Sequence, residues 1–201
     1  MIFFHIFVPT TSHNAMKYLS FFILLFIGEL SVSAQHMFSR QFPFFNQLSS
    51  NEIFSIHQDR EGYFWIGTTN GLARYDGYQL NTFRTDYKNQ NLLTDNGITA
   101  INDNDLYVWI GTWKGLNLYN KQTCRITPFS DARLLDKVVD AITVDKDGNV
   151  WVSAGGMIYR CDSTAHIIKE YEVGNIQEGY AISNIYVDQQ KQLWAVGSRG
   201  I

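Results

Sequence analysis

Charged residues are sparse in this sequence, and no part of it is strongly basic. Asp, Glu, Lys and Arg make up 17% of its 201 residues, and the formal net charge is −3. A nucleic-acid-binding surface requires a clustered basic excess, so we expect no nucleic-acid partner for this segment. Intrinsic disorder is also excluded, because 45% of the residues are hydrophobic and 15% are aromatic.

Motifs that carry catalysis or bind metals are absent from the sequence. No two of its five histidines have metal-ligand spacing. It has no Gly-x-Ser-x-Gly elbow and no phosphate-binding glycine loop. Residues 145–149 (DKDGN) resemble the start of a calcium loop but lack the later ligands and the terminal Glu, which favours a turn. We therefore predict no catalytic residue, no metal site and no cofactor in this chain.

Cysteine is rare, with only Cys124 and Cys161 in the whole chain. The two residues do not occupy equivalent places in the repeat described below. They form either a disulfide between neighbouring repeats, which an oxidising compartment permits, or two unpaired small hydrophobic side chains. We favour the second interpretation.

The N-terminus reads as a targeting segment. Met16 and Lys17 precede a short apolar run at residues 18–28, and Val32-Ser33-Ala34 provides small residues at a cleavage site. This pattern predicts a secretory signal peptide over residues 1–34, with the true start at Met16. The run is shorter than the roughly 20 residues that a spanning helix needs, although an uncleaved signal anchor is an alternative. Residues 35–47 are a lead-in that serves either as a linker or as a ring-closing strand.

A tryptophan motif recurs through the rest of the chain. Trp65-Ile66-Gly67-Thr68 returns as Trp109-Ile110-Gly111-Thr112 and then more loosely, so that a tryptophan recurs every 42–44 residues. Each unit contains four short strands separated by turns, which is the pattern of a β-propeller blade. The predicted units are residues 48–92, 93–135, 136–179 and a truncated 180–201. We therefore predict an all-β propeller of four-stranded antiparallel blades, with about three and a half blades present as a fragment of a larger propeller. We expect that this fragment does not fold stably alone.

Three positions in each unit have predicted structural roles. The tryptophan fills the wedge between adjacent sheets, an aspartate six residues earlier accepts backbone N–H bonds in a turn, and a glycine after the tryptophan strand supplies a positive φ. The tryptophans are Trp65, Trp109, Trp151 and Trp194. The aspartates are Asp59, Asp103, Asp145 and Asp188, and the glycines are Gly71, Gly115, Gly156 and Gly200.

Topology indicates where a ligand would bind. Successive turns of an antiparallel blade lie on opposite rims, so the turn after the tryptophan strand shares a rim with the blade-to-blade connections. The candidate ligand-binding residues on that rim are Asn70, Tyr87, Trp113, Lys114, Arg133 and Arg199. Trp113 stands out because blade packing does not require an aromatic side chain there, and aromatic faces stack on sugars. Alternatively, Trp113 covers a neighbouring loop or faces a partner subunit.

The first unit resembles a known repeat. Leu48-Ser49-Ser50-Asn51, Asp59-Arg60-Glu61-Gly62, Trp65-Ile66-Gly67-Thr68 and Tyr75-Asp76-Gly77-Tyr78 resemble the two-component regulator propeller repeat, and the second unit matches nearly as well. The resemblance implies an exported, periplasmic sensor region of a Bacteroidetes hybrid histidine kinase, which responds to glycan fragments and starts a phosphorelay. The implied partners are an oligosaccharide, the remaining blades and downstream signalling domains of a membrane-anchored receptor, and a second copy in a homodimer. The alternatives are a secreted propeller lyase or hydrolase and a non-catalytic interaction scaffold.

Overall fold

The computed structural model describes residues 43–85, 93–173 and 182–197. Its strands form four antiparallel sheets, which we call blades 1 to 4. Blade 1 contains β1 (Ile53–Gln58), β2 (Phe64–Thr68), β3 (Gly71–Tyr75) and β4 (Leu80–Phe83). Blade 2 contains β5 (Ile98–Asp103), β6 (Tyr107–Thr112), β7 (Gly115–Asn120) and β8 (Arg125–Pro128). Blade 3 contains β9 (Val139–Val144), β10 (Val150–Ala154), β11 (Met157–Cys161) and β12 (Ile167–Glu172). Blade 4 contains β13 (Ile182–Val187) and β14 (Leu193–Gly197).

Each blade pairs its strands in chain order, so blade 1 has the order β1-β2-β3-β4. Blades 1 to 3 have four strands and blade 4 has two, and the predicted all-β class and blade architecture are confirmed. Two short 3₁₀ turns lie at Phe45–Gln47 and Ala132–Leu134. Within the described ranges, no helix has the length and apolarity needed to cross a bilayer. The predicted signal peptide and residues 35–42 of the lead-in lie outside the described residues.

Neighbouring blades stack by the same pattern of apolar side chains. The tryptophan and the leucine of one blade pack against the first two strands of the next: Trp65 and Leu72 of blade 1 share a buried cluster with Ile98, Ile101 and Ile110 of blade 2. The equivalent cluster between blades 2 and 3 contains Trp109, Leu116, Val139, Ile142 and Val152, and that between blades 3 and 4 contains Trp151, Ile158, Ile182 and Ile185. Trp65 and Trp109 are fully buried, whereas Trp194, on the outer side of blade 4, is 46% exposed.

The glycine in the tryptophan strand permits this close stacking. A Cβ atom added at Gly67 would lie 2.6 Å from Cγ2 of Ile98, and one added at Gly111 would lie 2.6 Å from Cγ1 of Val139. Both contacts are far shorter than real Cβ contacts, so the next blade leaves no room for a side chain. The turn glycines have a different role, because Gly71, Gly115 and Gly156 all have positive φ. Gly200 lies outside the described residues.

The aspartates before the tryptophans form turns in three blades. Asp59, Asp145 and Asp188 each accept backbone N–H bonds from the turn that follows. Each also accepts the indole N–H of the tryptophan six residues later, at 2.6, 3.1 and 2.9 Å respectively. One carboxylate thus stabilises the turn and orients the tryptophan that packs against the next blade.

The prediction is wrong for Asp103 in blade 2. The turn there closes between Asn104 and Tyr107, one residue tighter than the turn between Asp59 and Tyr63. Asn104 takes over the turn, and its Oδ1 accepts the backbone N–H groups of Leu106 and Tyr107. Asp103 therefore becomes the last residue of β5 and points to other partners. As a result, the indole nitrogen of Trp109 is buried without a hydrogen-bond partner among the described residues.

Candidate functional site

The innermost strands of the four blades, β1, β5, β9 and β13, line an open axial cavity of about 250 Å³. These strands have the small or compact residues Ser55, Ala100, Ala141 and Asn184 at the third position. Such residues leave space where the blades converge. The cavity lining is Phe54, Ser55, Thr99, Ala100, Ile101, Asp140, Ala141, Ile142, Ser183 and Asn184.

The blade connections and the turns after the tryptophan strands lie on one rim. Trp113 donates its backbone N–H to the carbonyl of Gly97, and Gly71 donates to the carbonyl of Asn96. Both residues lie at the turn between the second and third strands of a blade. The turn at Trp113 contacts the segment before the inner strand of its own blade, and the turn at Gly71 contacts the segment that leads into the next blade. This arrangement is the one expected from the antiparallel topology, and we call it the connection rim.

Trp113 lies where this rim meets the axial cavity. A Cβ atom at Gly97 would lie 2.4 Å from the Trp113 ring, so the indole rests directly on the Gly97 backbone. The ring also makes an edge contact with Phe54, which lines the cavity, with centroids 6.3 Å apart. Trp113 remains 44% exposed. It therefore covers a neighbouring loop, as one interpretation of the sequence held, and still presents an aromatic surface beside the cavity.

The other predicted rim residues have local partners. Asn70 donates to the carbonyl of Ser49 and accepts from Arg84, so its side chain holds the rim together. The Lys114 Nζ lies 3.8 Å from an Asp95 carboxylate oxygen. Neither side chain lines the axial cavity.

Arg133 is also held locally. Its guanidinium donates two hydrogen bonds to Asp131, which lowers the pKa of that carboxyl to about 2, and it lies 3.5 Å from Glu170. Tyr87 and Arg199 lie outside the described residues. Of the four predicted ligand-binding residues that the structure describes, Trp113 alone contacts a residue of the cavity lining.

Asp140 is a cavity residue that the sequence interpretation missed. It is the second residue of β9, where β1, β5 and β13 have Phe54, Thr99 and Ser183. Burial raises the pKa of the Asp140 carboxyl to about 6. Within residues 43–85, 93–173 and 182–197, no group donates a hydrogen bond to its carboxylate. The available signal was a charged residue within an apolar strand, Val139-Asp140-Ala141-Ile142, at a position that is uncharged in the other three units.

A second polar cluster lies at the opposite rim, between blades 1 and 2. Asp103 accepts a hydrogen bond from Nε2 of His57 at 2.7 Å and another from Nζ of Lys121 at 2.6 Å. The backbone N–H of Arg60 contacts its second oxygen at 3.3 Å. Burial opposes the ionisation of Asp103, but these donors outweigh it and lower its pKa to about 2. The cluster is an internally satisfied bridge between blades.

Two further sequence hypotheses concern metals and cysteines. The described residues contain no group of three His, Cys, Asp or Glu side chains arranged to hold a metal ion. Asp145 to Asn149 form the turn that the sequence favoured, with Asp145 accepting the N–H of Asn149. Cys124 is exposed, Cys161 is buried, and the two are not paired.

Comparison with known proteins places the chain among propeller proteins. Residues 47–70 match the two component regulator propeller family. Two structures with similar folds are extracellular domains of hybrid two component systems from B. thetaiotaomicron. That of BT4673 is 20% identical with a TM-score of 0.59 over 76% of this chain, and that of BT3049 is 22% identical with a TM-score of 0.58 over 74%. This chain covers 21% of each of those domains.

A propeller of another class is also similar. Virginiamycin B lyase from Staphylococcus aureus is 17% identical with a TM-score of 0.56, over 75% of this chain and 54% of the lyase. Identities at this level show a common fold and carry no information on activity. Comparison with curated proteins gives no match. Residues 47–70 are thus a two component regulator propeller repeat, within a chain that repeats the same blade.

Proposed function

We propose that this chain is the ligand-sensing part of a larger two-component receptor, and that its ligand binds where Trp113 meets the axial cavity. The repeat at residues 47–70 and the shared fold with extracellular domains of hybrid two component systems support the receptor assignment. The exposed Trp113 and Phe54 rings beside a polar cavity support the site. This aromatic pair is the observation that carries the proposal.

The proposed ligand is a glycan fragment. Sugar rings present flat faces of C–H groups that stack on aromatic side chains, and their hydroxyl groups hydrogen-bond to polar neighbours. Phe54 and Trp113 provide the aromatic surface, whereas Ser55, Asn184 and Asp140 provide polar groups in the same cavity. A volume of about 250 Å³ suits one or two sugar units at the mouth, with the remainder of the fragment on the rim.

The proposed setting is the periplasmic side of a membrane-anchored receptor that starts a phosphorelay. The rest of the propeller and the downstream signalling domains of the same chain are its proposed partners, together with a second copy in a dimer. The exposed Ile53 and Ile56 of blade 1 and the exposed Trp194 of blade 4 support contact with further blades. They occupy the repeat positions of Ile98, Ile101 and Trp65, which are buried between blades 1 and 2.

The sensor proposal has better support than the propeller lyase or hydrolase that the sequence left open. Asp140 is the one ionisable residue in the described cavity lining, and acid–base catalysis commonly uses paired groups with separated pKa values. The likeness to virginiamycin B lyase is one of fold.

Substitution of Trp113 tests the site. We expect Trp113→Ala in the intact protein to weaken oligosaccharide binding by about tenfold or more, because stacking of a sugar on an exposed tryptophan is lost. Isothermal titration calorimetry against a panel of neutral and charged oligosaccharides measures the change. Tyr78→Ala is the matched control, since Tyr78 is an exposed aromatic residue at a turn of blade 1. Unchanged affinity in Trp113→Ala contradicts the assignment of the rim.

The gene sequence tests the receptor assignment. We expect the reading frame to continue beyond residue 201 into further blades, a transmembrane helix and a histidine kinase. Sequencing the genomic region decides between this receptor and the alternatives, and a stop codon after a few more blades would contradict the proposal.

A further inference from the structure

Asp140 is the one ionisable side chain among the described residues that line the axial cavity. The cavity walls are otherwise formed by aromatic, aliphatic, hydroxyl and amide side chains of the four inner strands. The equivalent residues in blades 1, 2 and 4 are Phe54, Thr99 and Ser183, so the carboxylate breaks the repeat at one blade. Blade stacking does not require it, because the other three blades stack without a charge at this position.

The neighbouring polar groups are engaged elsewhere. The Thr99 hydroxyl donates to the carbonyl of Val139 at 2.5 Å, and the Ser183 hydroxyl donates to the carbonyl of Val196 at 3.1 Å. The Asn184 side-chain oxygen accepts the N–H of Ile185. In the part of the chain that the structure describes, no donor or cation contacts the Asp140 carboxylate. Burial without a partner raises its pKa to about 6, so it is largely ionised at neutral pH.

An unpaired, partly buried carboxylate favours a ligand that brings a positive charge. A divalent metal ion is a poor match, because calcium and magnesium need several oxygen ligands and no group of three acidic, His or Cys side chains is present among the described residues. An ammonium group fits better, since it is compact and can donate hydrogen bonds to one carboxylate. The Phe54 and Trp113 rings at the mouth also favour a cation through their electron-rich faces.

We infer that Asp140 binds the ammonium group of the ligand, and that the ligand is an amino sugar whose amine is not acetylated. The inference rests on the proposed function for the site and specifies its substrate class. In this arrangement the amine contacts the Asp140 carboxylate inside the cavity. The sugar ring stacks at the mouth against Trp113 and Phe54.

Calorimetry on the intact protein tests the inference with three probes: the disaccharide of two glucosamine units, its N,N′-diacetyl form and benzylamine. We expect the glucosamine disaccharide to bind, and acetylation to weaken it by about tenfold or more because the charge is lost. Asp140→Asn is expected to weaken the glucosamine disaccharide by a similar factor. Asp105→Asn is the charge-matched control, because Asp105 is exposed at the opposite rim, and affinity there should stay within about twofold.

The outcomes separate this inference from the proposed function. If both disaccharides bind equally well and Asp140→Asn has no effect, the inference is wrong and glycan sensing stands. If benzylamine binds through Asp140 and neither disaccharide binds, Asp140 does bind an ammonium group, but the amino sugar is the wrong ligand and the glycan proposal fails with it. If neither amine binds at about 10 mM, a concentration that detects even very weak sites, the ammonium inference is overturned.

Discussion

Asp103 and Asp140 occupy neighbouring inner strands but meet opposite surroundings. Asp103, at the end of β5, accepts hydrogen bonds from His57, Lys121 and the backbone of Arg60. Asp140, near the start of β9, has no such donor among the described residues. Burial disfavours the charged form of both, yet the pKa is about 2 for Asp103 and about 6 for Asp140. The difference teaches that a partnered carboxylate joins blades, whereas an unpartnered one is available to a ligand.

The largest expected effect is at Asp103. Asp103→Ala leaves the almost fully buried Lys121 without its partner and removes the acceptor for His57 and the Arg60 backbone of blade 1, so we expect the boundary between blades 1 and 2 to lose about 3 kcal/mol. Hydrogen–deuterium exchange of the intact protein should show faster exchange in peptides that cover β1 and β5. Asp147→Asn is the control, because its pair with Lys191 is exposed and worth less than about 0.5 kcal/mol. If the two variants exchange at the same rate, Asp103 does not stabilise the boundary between blades 1 and 2.

The next smaller effect is expected for Gly67, which tests the contribution of apolar stacking to the same boundary independently of Asp103. Gly67→Ala places a methyl group against Ile98, and we expect a loss of about 1–3 kcal/mol as the blades move apart. The equivalent residue of blade 3 is Ser153, whose buried hydroxyl has no partner among the described residues. Ser153→Ala should therefore be neutral or stabilising by up to about 1 kcal/mol. Urea unfolding of the two variants measures both changes in the free energy of unfolding. If Gly67→Ala does not destabilise the protein, the boundary between blades 1 and 2 can accommodate a methyl group at this position.

The smallest effect has the opposite sign and concerns Asp140. Its pKa is raised from 3.8 to about 6 on folding, so the folded state loses stability as pH rises from about 4 to 6. The full shift of the Asp140 pKa corresponds to a loss of about 3 kcal/mol in folding stability, and solvent screening reduces this loss to about 1–2 kcal/mol. Asp140→Asn should thus stabilise the protein at pH 8 and match the wild type at pH 4.

Unfolding at several pH values checks this prediction, with Asp105→Asn as the control. A variant that is less stable than the wild type at pH 8 would show that Asp140 has a partner in the native protein. That result would also remove the contrast with Asp103.

Much of the fold was predictable because a propeller is built from a local repeat. The spacing of Trp65, Trp109, Trp151 and Trp194 predicted one blade per unit, and the short strands separated by turns predicted the four-stranded pattern of each blade. The turn role of Asp59, Asp145 and Asp188 was equally local. Asp103 broke the rule because the turn at Asn104 is one residue tighter, which shifts every preceding side chain relative to the repeat.

The candidate site was less predictable, because it forms where different blades meet. The sequence indicated the connection rim and singled out Trp113, since a rim position follows from strand order alone. It also nominated Asn70 and Arg133, whose local partners Ser49, Arg84, Asp131 and Glu170 became evident only in the structure. It overlooked Asp140 because one polar residue does not disturb the pattern of an apolar strand.

By itself, the sequence determined the all-β class, the blade period, the aspartate turns of blades 1, 3 and 4 and the buried tryptophans of blades 1 to 3, because each depends on contacts within one unit or on one repeated contact with the next. Only the tertiary structure decided which polar groups are satisfied. Asp103 finds His57 from another blade, and Asp140 faces a cavity formed by four strands. Hydrogen-bond satisfaction depends on distances between residues that are far apart in the chain, and no local pattern encodes those distances.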